Sequence, residues 1–363
     1  MIKQIALAAL LLLANRGWSQ TVDELNKQAM HDLANGKVAE ALAGFQKVVA
    51  LDSTHVNAHI HLGFIYYSNN LMNEAIAQYG KAIASDPENP FAHNNLGAVY
   101  LAVGKHNEAI IEYKLAIKFK PDYPEAHNNL AYAYYLLGLY ERAIASAQKA
   151  SELKPDYFLA YNNLGLSYNA LGKYDEAETS FRQALEIKPD FVAALNQLGT
   201  TLRYKGKHDD SIQTYLQAAQ IDSMNIDTYN GLGITYLSKG ELQKASDAFK
   251  KVLAIAPQDP VAHNNISYCY YELMNYAMAM QHAKAASRYG MKINPDYLAD
   301  LTKALDANYL RARHILVKTE AEAQDILSQL QAGASFPDLA VKKSIDPATA
   351  RKGGDFGFFQ KGD

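Results

Sequence analysis

Asparagine is the residue type here whose spacing offers the most chemistry. Asn94, Asn128, Asn162, Asn196, Asn230 and Asn264 follow one another at intervals of 34 residues. Directly after them stand Asn95, Asn129, Asn163 and Asn265, with Gln197 in the same register. A primary amide carries one acceptor and two donors, the inventory of a peptide unit. A line of such amides can pair with the backbone of an extended chain without reading its sequence. The same amides could equally bond between neighbouring copies and stabilise the stack. A second row, His59, His93, His127 and His263, keeps the same spacing. Metal binding by this row fails on distance. Helices pack ~8–10 Å apart, whereas a zinc–nitrogen bond spans ~2.1 Å. Packed or capping histidines are expected instead. The single cysteine, Cys269, excludes an internal disulfide framework and a multi-thiolate metal site.

The elements that position these rows are read from the period itself. AHIHLGFIYY, AHNNLGAVYL, AHNNLAYAYY, AYNNLGLSYN and AHNNISYCYY start at Ala58, Ala92, Ala126, Ala160 and Ala262, at multiples of 34 residues. ALNQLGTTLR from Ala194 and TYNGLGITYL from Thr228 fill the gap, and residues 22–55 form a divergent first copy. Eight copies thus run from 22 to 293 without an insertion. Within each copy, positions 4, 7, 8 and 11 and then 20, 24 and 27 trace one face of each of two helices. Glycine or alanine at position 8 and alanine at position 20 allow the two helices to approach closely. Gly104, Gly138, Gly172, Gly206 and Gly240 at position 15 end the first helix. Prolines at position 32 stop the second. Tyrosine at position 11 accounts for much of an unusual total, 25 of 363 residues.

This pattern resembles the tetratricopeptide repeat. The resemblance implies an all-α solenoid, a right-handed superhelix of helix pairs with a concave groove lined by the first helices. Residues 294–310 would be the closing helix, with Leu298, Leu301 and Leu305 on its apolar face. Positions 2, 5, 9, 12 and 13 point into the groove by the same resemblance. That makes the position-5 row, with Asn95, Asn129 and Asn163, candidate peptide contacts, flanked by Tyr132 and Tyr135. The repeats of O-linked N-acetylglucosamine transferase use an asparagine ladder on protein substrates in a similar way. Lysine, which clamps a C-terminal carboxylate in some of these proteins, is missing from position 5. Unfolded or extended polypeptides with apolar side chains, or partners in a protein complex, are the expected ligands.

Composition narrows the remaining classes. Thirty-five Lys and Arg against 38 Asp and Glu give a net charge of −3, with no basic block for nucleic-acid phosphates. Residues 1–20 read as a secretory signal peptide: Lys3, an apolar run from Ile5 to Ala14, then Gly17 and Ser19 as small residues before a cut at Gln20. The run falls short of the ~20 residues a spanning helix needs. Export to the periplasm or beyond is expected, without a membrane span in the mature form.

After Leu310 the period stops. Arg311–Lys318 alternates as a strand would, Thr319 and Glu322 form a capping box, and Ala323, Ile326, Leu327 and Leu330 make a helix face. Phe336–Lys343 reads as a second helix, and residues 344–363 read as loop. R-A-R-H-I-L-V-K, F-x-D-L-A, S-I-D-P and G-G-D-F-G-F-F together resemble the parvulin class of peptidyl-prolyl cis–trans isomerases, with Phe356 where leucine is usual. The resemblance places His314 at the family's first active-site histidine and Asp346 near its Cys/Asp position. It also implies that 311–363 is the N-terminal part of an α/β parvulin-like domain, incomplete as it stands and inactive alone, its strand lacking partners. No cofactor or metal is expected. Two functions remain in view: a folding factor whose solenoid recruits clients for proline isomerisation, and a non-catalytic scaffold of the cell envelope.

Overall fold

The computed structural model describes residues 21–305, 309–313, 315–331, 334–346 and 355–360. The leader expected at 1–20 and His314 lie outside the described residues. The chain divides into two compact units, one ending at Lys207 and one beginning at His208.

In the first unit, each 34-residue frame from 22 folds as a helix pair. Repeat 2 is Val56–Ser68 and Met72–Ser85, repeat 3 is Pro90–Ala102 and His106–Phe119, repeat 4 is Pro124–Leu136 and Tyr140–Leu153, and repeat 5 is Phe158–Ala170 and Tyr174–Ile187. The first helix of repeat 6 is Val192–Tyr204. Position 24 of one helix fills the space left by the small residue at position 8 of the other. A Cβ on Gly97 would meet the Tyr113 ring at 2.7 Å, and one on Gly165 would meet Phe181 at 2.6 Å. Tyr79, Tyr113 and Phe181 are almost wholly buried as a result. Repeat 4 is the exception, with Ala131 facing Ala147. Its second helix buries only Ala143, Ala147 and Ala150.

The turn between paired helices is a Schellman motif. In repeat 3 the Lys105 amide donates to Tyr100 at 2.8 Å and Gly104 donates to Leu101 at 3.0 Å. Gly104 has φ +75°, the left-handed region that glycine enters without a Cβ penalty. Asn70 and Met274 hold the same position at φ 61° and 59°.

Loops joining successive repeats come in two kinds. His55, Asn89, Asn225 and Asp259 cap the following helix through their side chains. The loops before repeats 4, 5 and 6 put an aromatic there instead, and Tyr123, Tyr157 and Phe191 offer no side-chain cap. Lysine covers the aromatic faces: Lys120 lies 5.0 Å from the Tyr123 ring and Lys154 4.9 Å from Tyr157.

The second unit completes repeat 6 with His208–Ile221. Repeat 7 follows as Ile226–Ser238 and Leu242–Ile255, and repeat 8 as Pro260–Glu272 and Tyr276–Arg288. Helix Pro295–Leu305 closes the stack. Leu301 is fully buried on Ala279 and Ala283, and Leu298 is partly so. Leu305 departs from the expected apolar face and stays 45 % exposed.

Beyond it, β1 (Tyr309–Arg313) pairs antiparallel with β2 (Asp355–Gln360), in register Leu310↔Phe359 and Arg311↔Phe358, with an irregularity between Arg311 and Arg313. This corrects two expectations. The strand lies earlier than Arg311–Lys318 and has a partner, and part of 344–363 is strand rather than loop. The partners lie far apart in sequence, and a Gly/Asp-rich stretch shows no local alternation to mark such pairing. Helices Glu320–Gln331 and Phe336–Lys343 lie between the strands. The expected box forms, with Glu322 N–H donating to Thr319 Oγ1 at 3.2 Å and Thr319 N–H to Glu322 Oε2 at 3.1 Å. Ile326 is buried on the helix face, but Leu327 is 47 % exposed.

Candidate functional site

The first helices of repeats 3–6 carry the amides of the first unit. Asn94, Asn128, Asn163 and Asn196 are buried, whereas Asn95, Asn129 and Asn162 are half-buried. Many of these amides bond one another across repeats. Asn129 Nδ2 donates to Asn94 Oδ1 at 3.0 Å, and Asn163 Nδ2 to Asn128 Oδ1 at 2.8 Å. Asn94 Nδ2 in turn donates to Asn95 Oδ1 at 3.2 Å. Asn162 Oδ1 is covered and has no hydrogen-bond partner among the described residues. In the second unit Asn230 and Asn264 are half-buried, and Asn230 Oδ1 also lacks a partner.

Tyr132 is 39 % exposed, and its ring lies nearly parallel to Tyr135, with centroids 6.3 Å apart. Tyr140, which the sequence pattern did not single out, extends the cluster at 5.8 Å from Tyr135. Burial, and then the neighbouring Tyr140 and Tyr132 hydroxyls, raise the Tyr135 pKa. Tyr135 is therefore a neutral donor at physiological pH.

The histidine row clips neighbouring repeats together. Nε2 of His59, His93, His127 and His263 meets the carbonyl oxygens of Ser53, Pro87, Pro121 and Pro257 at 3.0–3.2 Å. In three copies Nδ1 meets position 23 of the same repeat: Gln78 at 2.7 Å, Glu112 at 2.6 Å and His282 at 2.9 Å. Burial, then His263 and Lys250, lower the His282 pKa to about 4. Burial pushes the Cys269 thiol up to about 12, which leaves it unreactive. No group of three or more metal-ligating side chains occurs among the described residues.

In the C-terminal segment, His314 lies outside the described residues, directly after β1. Asp346 is half-buried. The structure brings the chain just beyond His314 against the Asp346 loop. Ile345 N–H donates to the Leu316 carbonyl at 2.8 Å, and Ser344 Oγ accepts from both Leu316 N–H at 3.2 Å and Asp346 N–H at 3.3 Å. Ser344 opens the S-I-D-P motif, but no role was expected of it. Through β1 and β2, Arg311–Arg313 of the first motif and Asp355–Phe359 of the last become neighbours.

Tetratricopeptide repeat families match residues 65–104 and 99–138, 124–157 and 158–191, and 190–258, which together span more than half of the chain. The chain belongs to the tetratricopeptide repeat proteins. A PPIC-type PPIASE domain matches residues 300–363. Among curated relatives, the foldase protein PrsA of Halalkalibacterium halodurans is 46 % identical over 54 residues, covering 15 % of this chain and 16 % of that protein. The putative peptidyl-prolyl cis-trans isomerase Cbf2 of Campylobacter jejuni is 37 % identical over 76 residues, 19 % of this chain and 28 % of that one. The chain thus spans well under a third of the length of these relatives. Among solved structures, a tetratricopeptide repeat protein from Parabacteroides merdae superposes with TM-score 0.55 at 18 % identity, covering 69 % of this chain and 99 % of its own. Pseudomonas aeruginosa PilF gives 0.53 at 21 %, over 61 % and 98 %. These two show a shared fold. No helix among the described residues is long and apolar enough to cross a membrane.

Proposed function

We propose that this is an exported folding factor. Its repeats over 22–293, closed by 294–310, hold extended polypeptide, and the segment from 311 belongs to a parvulin-type domain that isomerises X-Pro bonds. One observation carries the reading: the PPIC-type match over 300–363 falls where β1 pairs with β2. An X-Pro bond turns over a barrier of ~20 kcal/mol in tens of seconds unaided. Binding the twisted amide better than either planar form lowers that barrier, with no covalent intermediate and no cofactor. We assign His314 and Asp346 to the polar side of that site. The Leu316–Ile345 hydrogen bond supports their nearness. The leader at 1–20 supports export.

The test is a prolyl isomerisation assay on the protein expressed from its natural reading frame. The expected result is catalysis that His314→Ala slows without abolishing, since electrostatic stabilisation is shared among several groups. Binding of unfolded clients with no catalysis would replace this reading with that of a scaffold.

A further inference from the structure

The amide row of the first unit breaks at one step. Position 6 of one repeat donates to position 5 of the repeat before it, as Asn129 does to Asn94 and Asn163 to Asn128. The next step would join Asn162 to position 6 of repeat 6, which is Gln197. No such bond forms, and Asn162 Oδ1 stays buried without a partner among the described residues. A glutamine carries its amide one methylene further out than the asparagines that close the two earlier steps. A covered acceptor left unpaired is a standing cost to the fold.

We propose that Asn162 Oδ1 accepts a backbone N–H from an extended, uncharged polypeptide segment lying along the first helices of repeats 3–5, whereas Asn94, Asn128, Asn129 and Asn163 hold the stack together. This rests on the groove reading above. Three observations define the occupant. Across positions 2, 5, 9, 12 and 13 of these repeats the one charged residue is Glu125, and Lys154 pairs with it at 3.6 Å. The face is therefore electrically neutral and suits a neutral segment. Tyr132 offers exposed aromatic surface for its side chains. Asn162 itself is half-buried, so rotation about its soft terminal torsion turns the acceptor toward a ligand.

The full chain is titrated with a short capped peptide of Ala, Ser, Gln, Leu and Tyr, and with the same peptide N-methylated along its backbone. Asn162→Ala should weaken binding of the first peptide about two- to tenfold, the range for one hydrogen bond, with melting unchanged or raised. N-methylation should weaken binding to the native protein and make no further difference to the variant. Asn163→Ala should instead lower the melting temperature. Gln197→Asn should close the row, raising the melting temperature while weakening the peptide. Unchanged affinity in Asn162→Ala, or equal affinity of the native protein for both peptides, overturns the assignment while leaving the groove reading intact. A native protein that binds neither peptide overturns both.

Discussion

Glu178, with a side chain only 12 % exposed, accepts from Lys205 at 2.6 Å, Arg182 at 2.9 Å and Lys207 at 3.2 Å. Burial works to raise its pKa, but hydrogen bonds from Lys205, Arg182 and Lys207 outweigh it and lower the value to about 2. A depressed carboxylate adds stability above its unfolded pKa and loses it as pH falls toward the folded one. The window therefore runs from the ordinary 4.5 down to about 2. Glu178→Gln should cost roughly 1–2 kcal/mol at neutral pH, allowing for solvent near the lysines, and the difference should vanish by about pH 2. Urea melts at several pH values check this, and a difference that persists at low pH would assign the cost to packing. Residues of this sort are only half legible in sequence. Position 4 announced packed histidines, but their partners at position 23 vary as Gln78, Glu112 and His282, and so left no repeating signal.

Helix pairs, their glycine ends and the capping box were legible because each depends on residues within one or two turns. β2 was not, because its partner β1 lies across two helices in sequence. The linking loops fall between these cases. Asn89 and Asp259 sit before Pro90 and Pro260 as caps should, yet Tyr123 precedes Pro124 with no cap at all. Asn89 Oδ1 accepts from Phe91 N–H at 3.1 Å and from Ala92 N–H at 3.0 Å. Asn89→Ala should cost about 1 kcal/mol, read as an earlier denaturation midpoint at unchanged slope. Tyr123→Asn, which offers the missing cap, should recover less than that amount because it also removes a buried ring. A net gain from Tyr123→Asn would mean that the aromatic contributes little to the loop.

Taken as a whole molecule, a stack in which each repeat touches chiefly its neighbours is a chain of springs in series, and its softest member sets where it gives way. The spacing of the repeats could be read from 34-residue periodicity, but their relative stiffness could not. It depends on which side chain meets position 8, and in repeat 4 that meeting is Ala131 with Ala147. Alanines bury far less apolar area than the tyrosine or phenylalanine at the same place in repeats 2, 3 and 5, at ~25 cal/mol per Å² of area. Amide hydrogen exchange should therefore be faster in Tyr140–Leu153 than in His106–Phe119 or Tyr174–Ile187 under native conditions. Equal protection in all three helices would show that contacts with adjoining repeats even out the difference. Repeat 4 also carries Tyr132 and Tyr135, so its compliance lies beneath the surface on which an extended client would rest. Were a long client pulled taut along repeats 2–5, repeat 4 would give first and act as the mechanical fuse of the first unit.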